Sequence, residues 1–243
     1  MNYQLHPAYP YCQNLIDNIE GYFQNAKKIL HAERNEIRLV KFANKDYVVK
    51  SFRIPHIINR FTYRYLRASK AKRSYYHSLK LGVEICPQPI AYIEQFQKKL
   101  LARSYFIARY FNYDFTIRSV LNNATFENRN KILEQFAIFT YHLHQRGILH
   151  HDYSAGNILI KQQDADYDFR IIDVNRMQFK SLTLQDRLNN FAWLMVEEST
   201  LEIILDHYAK LINKPAKEIL LKVTGYQEQI EQRRAIKNKL RGK

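Results

Sequence analysis

The chain has 243 residues, of which 46% are hydrophobic and 14% aromatic, enough to bury a substantial core, and this composition excludes an intrinsically disordered protein. Its formal net charge of +15 predicts attraction to polyanions (nucleic acid, an anionic membrane surface or a phosphorylated substrate) and does not choose among them. Because no apolar run of about 18 residues occurs, we expect no transmembrane helix.

The N-terminal segment does not have the pattern of a secretory signal. In "MNYQLHPAYPYCQNLIDNIEGYF" no basic stretch precedes an apolar one. The two cysteines, Cys12 and Cys86, lack the spacing of metal ligands and fit a reducing compartment, where disulfides are not needed. We therefore predict a cytoplasmic protein.

The next part of the chain combines strands with basic helices. Residues 36–52 predict two strands around the turn Asn44-Lys45-Asp46. Residues 56–81 lack Gly and Pro, are densely basic and predict one or two helices. "LGVEICPQPIAYIEQF" then indicates a Gly stop, a loop between prolines and a strand, and "KKLLARSYFIARYF" predicts a further strand.

After Asn112 the pattern becomes mostly helical. "ENRNKILEQFAIFTYHLHQRG" predicts an amphipathic helix that ends at Gly147. "HHDYSAGNILI" follows, and a hairpin is predicted from the strand "NILIKQ", the polar turn "QDADYD" and the strand "FRIIDV"; from Leu182 onward the pattern is helical. We predict an α+β protein with two lobes, a small β-rich N-lobe over residues 1–111 and a mostly helical C-lobe over residues 112–243.

Three oxygen-bearing side chains stand at the ends of the predicted hairpin. Asp152 precedes its first strand, Asn157 follows five positions later, and Asp173 ends its second strand. Paired strands lie side by side, so these side chains can converge on a hard cation such as Mg²⁺, which usually acts with phosphates. Lys50 could supply a cation to the same phosphates. Considered singly, each residue is also compatible with a turn cap or a solvated surface position.

These residues resemble the motifs of protein-kinase-like folds. His150-His151-Asp152 with Asn157 is similar to the H-R-D-x-x-x-x-N loop, Asp173-Val174-Asn175 stands where D-F-G would, and Lys50 in "YVVKSF" resembles the lysine of V-A-I-K. Within that fold, "SKAKRSYYHSLKLGVEICPQPIAYIE" and "IIDVNRMQF" resemble most the bacterial lipopolysaccharide kinases, the Kdo and heptose kinases of the inner core. Arg176, directly after the tripeptide, is part of that likeness.

The resemblance implies a two-lobed kinase fold and an ATP-dependent kinase that phosphorylates a Kdo or heptose hydroxyl. It implies that Asp152 orients or deprotonates that hydroxyl, and that Asn157 and Asp173 hold Mg²⁺. It further implies that Lys50 contacts the α and β phosphates of ATP, and that His150 supports the loop rather than taking a proton.

The sequence departs from the kinase pattern at three places. No G-x-G-x-x-G precedes Lys50. No acid occurs between Asp46 and Glu84, so the glutamate expected to pair with the lysine is missing, and Tyr76 or His77 stands about where it would. His151 replaces the usual arginine, and Asn175 replaces the usual glycine, a mild change because Asn tolerates the left-handed conformation.

The segment after Asp173 is short and lacks A-P-E, which favours a sugar or lipid-linked acceptor over a peptide. Together with the basic residues 56–80 it predicts an anionic lipid-linked substrate and a peripheral contact with the inner membrane. Two alternatives stay open. One is a catalytically impaired nucleotide-binding scaffold. The other is a Rio-type kinase or ATPase on ribosomal RNA, the case in which nucleic acid would be a partner.

Overall fold

The computed structural model describes residues 1–26, 28–32, 35–52 and 68–239. These residues form both sheets and helices, as the α+β prediction requires. They divide into two compact units: the N-terminal unit (Met1–Asn112 with Asp173–Asn175) and the C-terminal unit (Tyr113–Ile172 with Arg176 onward). Within the described ranges, no helix combines the length and the apolar character that a membrane span requires.

The N-terminal unit contains a six-stranded antiparallel sheet with the strand order β1-β5-β6-β4-β3-β2. The strands are β1 (Asn2–Leu5), β2 (Lys28–Ala32), β3 (Asn35–Phe42), β4 (Lys45–Phe52), β5 (Pro89–Gln97) and β6 (Leu100–Arg109). The described helices of this unit are α1 (Gln13–Asp17), α2 (Ile19–Gln24) and α3 (Lys70–Leu81).

The two faces of this sheet are covered by different helices. Helices α1 and α2 pack against the face that includes Val49. Helix α3 packs through Tyr75 against the other face, which includes Phe52 and Tyr92. Because successive side chains of a strand point to opposite faces, Lys50 of β4 lies on the α3 face with Phe52.

The two strands predicted over residues 36–52 are present as the hairpin β3–β4, but the turn differs from the prediction. Ala43 and Asn44 both have positive φ, 47° and 56°, as in the two-residue type I′ turn that joins hairpin strands. Lys45 already pairs with Phe42, so only one of the three predicted turn residues lies in the turn.

Part of the predicted basic helical region lies outside the described residues. Residues 56–67 belong to that part, as do residues 240–243 of the basic C-terminal segment. The remainder of the region forms α3, which begins after Ser69, whose hydroxyl accepts a hydrogen bond from the Lys72 amide at 3.0 Å. The helix ends at Gly82, whose φ of +86° suits the predicted glycine stop.

The C-terminal unit is mostly helical. Its strands are β7 (Phe115–Thr116), β8 (Ile148–His150), β9 (Ile158–Gln163), β10 (Asp166–Ile171) and β11 (Met177–Phe179), paired as β10-β9-β7 and β11-β8. Its described helices are α4 (Ile117–Leu121), α5 (Arg129–Gln145), α6 (Leu184–Ala192), α7 (Glu198–Ile212) and α8 (Ala216–Lys239). Helix α5 packs on α7, and α8 packs on α6 and α7.

The predicted hairpin is present as β9–β10, with a shorter turn than "QDADYD". Gln163 pairs with Asp166, so the turn consists of Asp164 and Ala165. Of the other predicted turn residues, Gln163 belongs to β9 and Asp166, Tyr167 and Asp168 belong to β10, because polar side chains on the solvent side of a strand resemble loop residues in sequence. Strand β10 ends at Ile171, so Asp173, which was predicted to end this strand, lies two residues beyond it.

Candidate active site

Lys50 and Asp173 form an ion pair in the N-terminal unit. Only 9% of the surface of Lys50 is exposed. Its Nζ lies 2.7 Å from Oδ1 of Asp173, although the two residues are 123 positions apart in the sequence. A buried ammonium group needs an anionic partner to offset its lost hydration, so this contact fixes the direction of the lysine side chain. Two of the predicted site residues are therefore in direct contact.

Asp173 has a backbone conformation that is uncommon for a residue with a side chain. Its φ is +58°, in the left-handed region, where a residue with a Cβ atom carries about 1 kcal/mol or more of strain. Its Oδ1 accepts hydrogen bonds from both Lys50 Nζ and Asn175 Nδ2. A strained backbone persists only where surrounding contacts stabilise it, and residues of this kind cluster at functional sites.

His77 of α3 contacts the residue that follows Asp173. Its Nδ1 lies 2.7 Å from the carbonyl oxygen of Val174. Since a carbonyl oxygen only accepts hydrogen bonds, Nδ1 carries the proton and donates. Of the two residues that could stand in for the expected glutamate, His77 reaches the Asp173–Asn175 tripeptide, whereas Tyr76 packs against Tyr92.

Asp152 lies in the loop between β8 and β9 of the C-terminal unit, and its backbone is held on both sides. Its carbonyl oxygen accepts hydrogen bonds from the Ser154 amide at 2.7 Å and from Asn157 Nδ2 at 2.9 Å. Tyr153, fully buried, anchors the loop through a 2.8 Å hydrogen bond with the Thr140 hydroxyl. The carboxylate of Asp152 is half-buried and has no hydrogen bond or ion pair with another described residue.

Both ring nitrogens of the buried His150 are hydrogen-bonded. Nδ1 lies 2.9 Å from the amide nitrogen of Asp152 and Nε2 lies 3.1 Å from the carbonyl oxygen of Ile172. The amide donates to Nδ1, and Nε2 donates to the carbonyl, which selects the neutral Nε2–H tautomer. His150 thus connects the loop to the residue that precedes Asp173.

A chain of buried hydrogen bonds continues from His150 into the helices. Asn190 Nδ2 donates to the His150 carbonyl at 2.8 Å, and Asn190 Oδ1 lies 3.1 Å from His144 Nε2. The hydroxyl of Tyr208 lies 2.7 Å from His144 Nδ1. Burial lowers the pKa of His144 from 6.5 to about 4, so the ring is neutral at pH 7 and the bonds run in one direction, from Tyr208 to the loop.

Comparison with known proteins decides the family. The model of the lipopolysaccharide kinase (Kdo/WaaP) family matches residues 53–214, more than half of the chain. The chain belongs to this family. It is therefore a phosphotransferase with a hydroxyl group as acceptor. The prediction of a kinase that acts on the lipopolysaccharide core is confirmed, and the sugar stays a prediction. No curated protein matches the sequence significantly.

Solved structures agree on the fold of this lipopolysaccharide kinase. WaaP in complex with acyl carrier protein is 16% identical, with a TM-score of 0.64 over 96% of this chain and 98% of that chain. A microcompartment-associated aminopropanol kinase is 12% identical, with a TM-score of 0.52 over 88% of this chain and 86% of that chain. The predicted protein-kinase-like fold is confirmed.

The family implies the use of ATP and, typically, a divalent metal ion. Two of the predicted residues carry oxygen atoms of the kind that such an ion binds. Mg²⁺ prefers oxygen ligands and commonly combines one or two carboxylates with substrate phosphates. Asp173 offers a carboxylate. Asn157 donates through Nδ2 to the Asp152 carbonyl, so this hydrogen bond does not use its amide oxygen, the atom of the side chain that could bind a cation.

The four residues predicted from the motifs lie in two groups. Lys50 and Asp173 are in contact in the N-terminal unit, and Asp152 and Asn157 share one loop of the C-terminal unit. Ile172 immediately precedes Asp173 and donates its amide to the carbonyl oxygen of Asn157 at 2.9 Å. The catalytic, nucleotide and metal roles of the four stay predictions.

The sequence analysis missed the buried residues that support the loop between β8 and β9 through hydrogen bonds. Asn190 and His144 were not singled out as loop supports, although both are buried at 3% and 1% exposure. Each of these polar residues occupies a position on the apolar face of a predicted helix. A polar side chain at such a position indicates a buried hydrogen bond. That signal does not say which residue the partner is.

Proposed function

We propose that this lipopolysaccharide kinase transfers the γ-phosphoryl group of ATP to a sugar hydroxyl of the lipopolysaccharide inner core, on Kdo or on heptose. The protein would act at the cytoplasmic face of the inner membrane as a peripherally bound enzyme. The observation that carries the proposal is the 2.7 Å contact between Lys50 and Asp173, because it joins the residue proposed for the ATP phosphates to a residue proposed for the metal.

On the nucleotide side, Lys50 is proposed to contact the α and β phosphates, and Asn157 and Asp173 to hold Mg²⁺. The metal ion, when bound, neutralises charge on the oxygens of the transferred phosphoryl group. Lys50 is already oriented by Asp173, and the Asn157 side chain is oriented by the Asp152 carbonyl. Positioning of this kind supplies much of the rate enhancement in phosphoryl transfer.

On the acceptor side, Asp152 is proposed as the residue that orients the attacking hydroxyl and accepts its proton. Its carboxylate has no partner among the described residues, so it can accept a hydrogen bond from a substrate. Its backbone is nevertheless fixed by Ser154, Asn157 and His150. An unpaired carboxylate on a held backbone suits a general base.

An anionic sugar is proposed as the acceptor. Residues 174–183 alone separate Asp173 from α6, a short segment compared with the one that holds peptides in protein kinases. Beside the loop, the guanidinium group of the exposed Arg118 lies against Gly156 and has no hydrogen bond or ion pair with any described residue. A guanidinium group suits the carboxylate or phosphate of such an acceptor.

The test is ATP consumption with purified lipid A precursors that carry Kdo or heptose, with Asp152→Ala as the control. We expect turnover by the wild-type protein and none by the variant, with nucleotide binding nearly unchanged. Phosphorylation of other alcohols, without activity on either lipid-linked sugar, would refute the proposed substrate. RNA that co-purifies and dissociates steeply with salt would favour the Rio-type alternative instead.

We also propose that this kinase binds an acyl carrier protein. The support is that WaaP, which shares its family and fold, was solved in complex with one. Native purification followed by intact mass spectrometry checks this. A carrier protein that co-elutes would support the proposal, and a chain that elutes alone from cells containing carrier protein would count against it.

A further inference from the structure

Helix α3 presents a histidine, rather than an acid, to the tripeptide Asp173–Asn175. The sequence has no acidic residue between Asp46 and Glu84, and Lys50 pairs with Asp173 itself. The contact from the helix is made by His77, through the 2.7 Å hydrogen bond from Nδ1 to the Val174 carbonyl. The two residues are 97 positions apart, so this bond attaches α3 directly to the tripeptide.

The tripeptide needs such an attachment because its first residue is strained. Asp173 has a φ of +58°, a conformation that Asp adopts less readily than the ordinary regions, so contacts that hold the tripeptide stabilise it. Lys50 and Asn175 act on the Asp173 side chain. His77 acts on the backbone, at the peptide unit that follows. Removing the backbone contact takes away the constraint that α3 places on the tripeptide.

We propose that His77 is a positioning residue, which holds Asp173 in its metal-binding conformation by donating a hydrogen bond from Nδ1 to the Val174 carbonyl. His77 thereby performs in this kinase the coupling of helix to nucleotide site that the absent glutamate would otherwise provide. The inference rests on the proposed role of Asp173 in holding Mg²⁺ and does not depend on which sugar is phosphorylated.

The test compares variants that differ in the hydrogen-bond donor at position 77. Asn places its Nδ2 donor close to the position of histidine Nδ1, so His77→Asn preserves the bond. His77→Leu removes the donor, and His77→Gln moves it farther along the side chain and serves as a second removal variant. Leu79→Asn is the matched control, because Leu79 lies on the same helix, is 40% exposed and introduces the same residue at a helix-propensity cost at least as large as that of His77→Asn.

ATP affinity is measured by calorimetry over a range of Mg²⁺ concentrations, and separately without Mg²⁺. We expect His77→Leu and His77→Gln to need about three- to tenfold more Mg²⁺ for half-maximal ATP binding, the factor that one net hydrogen bond is worth. His77→Asn and Leu79→Asn should stay within about twofold of wild type by the same measure. Affinity for metal-free ATP should change little in all four variants.

A purely structural role gives a different pattern. If His77→Asn and His77→Leu shift the Mg²⁺ requirement equally, or if both lower only the melting temperature, His77 does not position Asp173. Nitrogen-15 NMR gives a readout independent of ligands: Nδ1 of His77 should carry the proton in the folded protein, and an Nε2–H tautomer would overturn the assignment.

The outcomes also separate this inference from the proposed substrate. One outcome is a Mg²⁺ requirement that depends on the donor at position 77 in a protein that is inactive on Kdo and heptose lipids. This result would support the role of His77 and refute the proposed acceptor. Wild-type ATP binding that is indifferent to Mg²⁺ refutes the role of Asp173 and the role of His77 with it.

Discussion

The two proposed catalytic carboxylates are held in opposite ways. In the N-terminal unit, Asp173 has a strained backbone and its carboxylate is paired with Lys50 and Asn175. In the C-terminal unit, the carboxylate of Asp152 has no partner among the described residues, and neutral hydrogen bonds hold its backbone, as in the bond from its amide to His150 Nδ1.

The difference follows from what each carboxylate is proposed to do. A metal ligand keeps its negative charge throughout the reaction, and a lysine beside it compensates that charge. A general base must be open to a substrate hydroxyl, and a cation paired with it would oppose proton uptake. The base is therefore oriented through its backbone, by hydrogen bonds to uncharged groups.

The largest expected effect tests the unpaired carboxylate. Asp152→Asn keeps the backbone contacts of the loop and removes only the base, so the transfer rate should fall by about 10²- to 10⁴-fold. Thermal stability should change by less than about 0.5 kcal/mol, because the carboxylate has no described partner to lose. Single-turnover kinetics and calorimetric unfolding check the two parts. A variant that transfers phosphate normally would show that Asp152 is not the base.

A second prediction tests the neutral hydrogen bonds behind the loop. The pKa of His144 is lowered by burial to about 4 in the folded protein, against 6.5 unfolded. The folded state therefore binds fewer protons between these values, so stability is fully present above about pH 6.5 and is lost as the pH falls towards 4. The loss amounts to about 3 kcal/mol for this shift.

His144→Gln removes this titration and serves as the comparison. Denaturant unfolding at several pH values should show a shallower decline between pH 6.5 and pH 4 in the variant than in the wild type. Parallel declines in the two proteins would mean that His144 is protonated without penalty in the fold, and that the chain from Tyr208 to the loop tolerates charge.

A double-mutant cycle tests the paired carboxylate. Lys50→Met and Asp173→Asn each leave one charge without its partner, and the double variant removes both, so we expect a coupling of about 2 kcal/mol in unfolding free energy. The matched control is the pair Lys210–Asp206, also a short contact at 2.6 Å but 69% and 48% exposed, with an expected coupling of about 0.5 kcal/mol or less. Equal couplings would show that the Lys50 pair gains nothing from its burial.

The sequence predicted the elements whose patterns are local. The helix expected over residues 127–147 forms over Arg129–Gln145, and the hairpin strands follow the β-branched and aromatic runs. The site residues were predicted from motifs that each occupy a few adjacent positions, and the roles of Lys50, Asp152, Asn157 and Asp173 stay predictions. Family resemblance predicted a kinase, and the match over residues 53–214 confirms it.

Contacts between distant positions could not be predicted in the same way. Lys50 was expected to lack its partner, since no acid follows it before Glu84, yet its partner lies 123 positions away. The contact of His77 with Val174, 97 positions away, depends on how α3 packs on the sheet. Residue type and spacing do not encode that packing.

The smallest expected effect concerns the exposed cation beside the loop. An added Cβ at Gly156 would lie 2.7 Å from Nη2 of Arg118, the end of a flexible side chain, so Gly156→Ala should displace the guanidinium group without unfolding the loop. If Arg118 binds an anionic acceptor, Arg118→Ala removes one exposed charge contact and should raise the KM for the acceptor by about three- to tenfold. Gly156→Ala should raise this KM by less. In both variants kcat and the KM for ATP should stay within about twofold of wild type.

Arg118→Lys separates charge from shape in the same assay. Lysine retains the charge without the planar donor pair, so an intermediate KM would indicate bidentate recognition of a carboxylate or phosphate. Added salt should reduce the difference between wild type and Arg118→Ala, because an exposed charge contact is screened. A change in the KM for ATP alone would show that Arg118 acts on the nucleotide side. Asp152 would then be the described acceptor-side residue whose role can be tested by substitution.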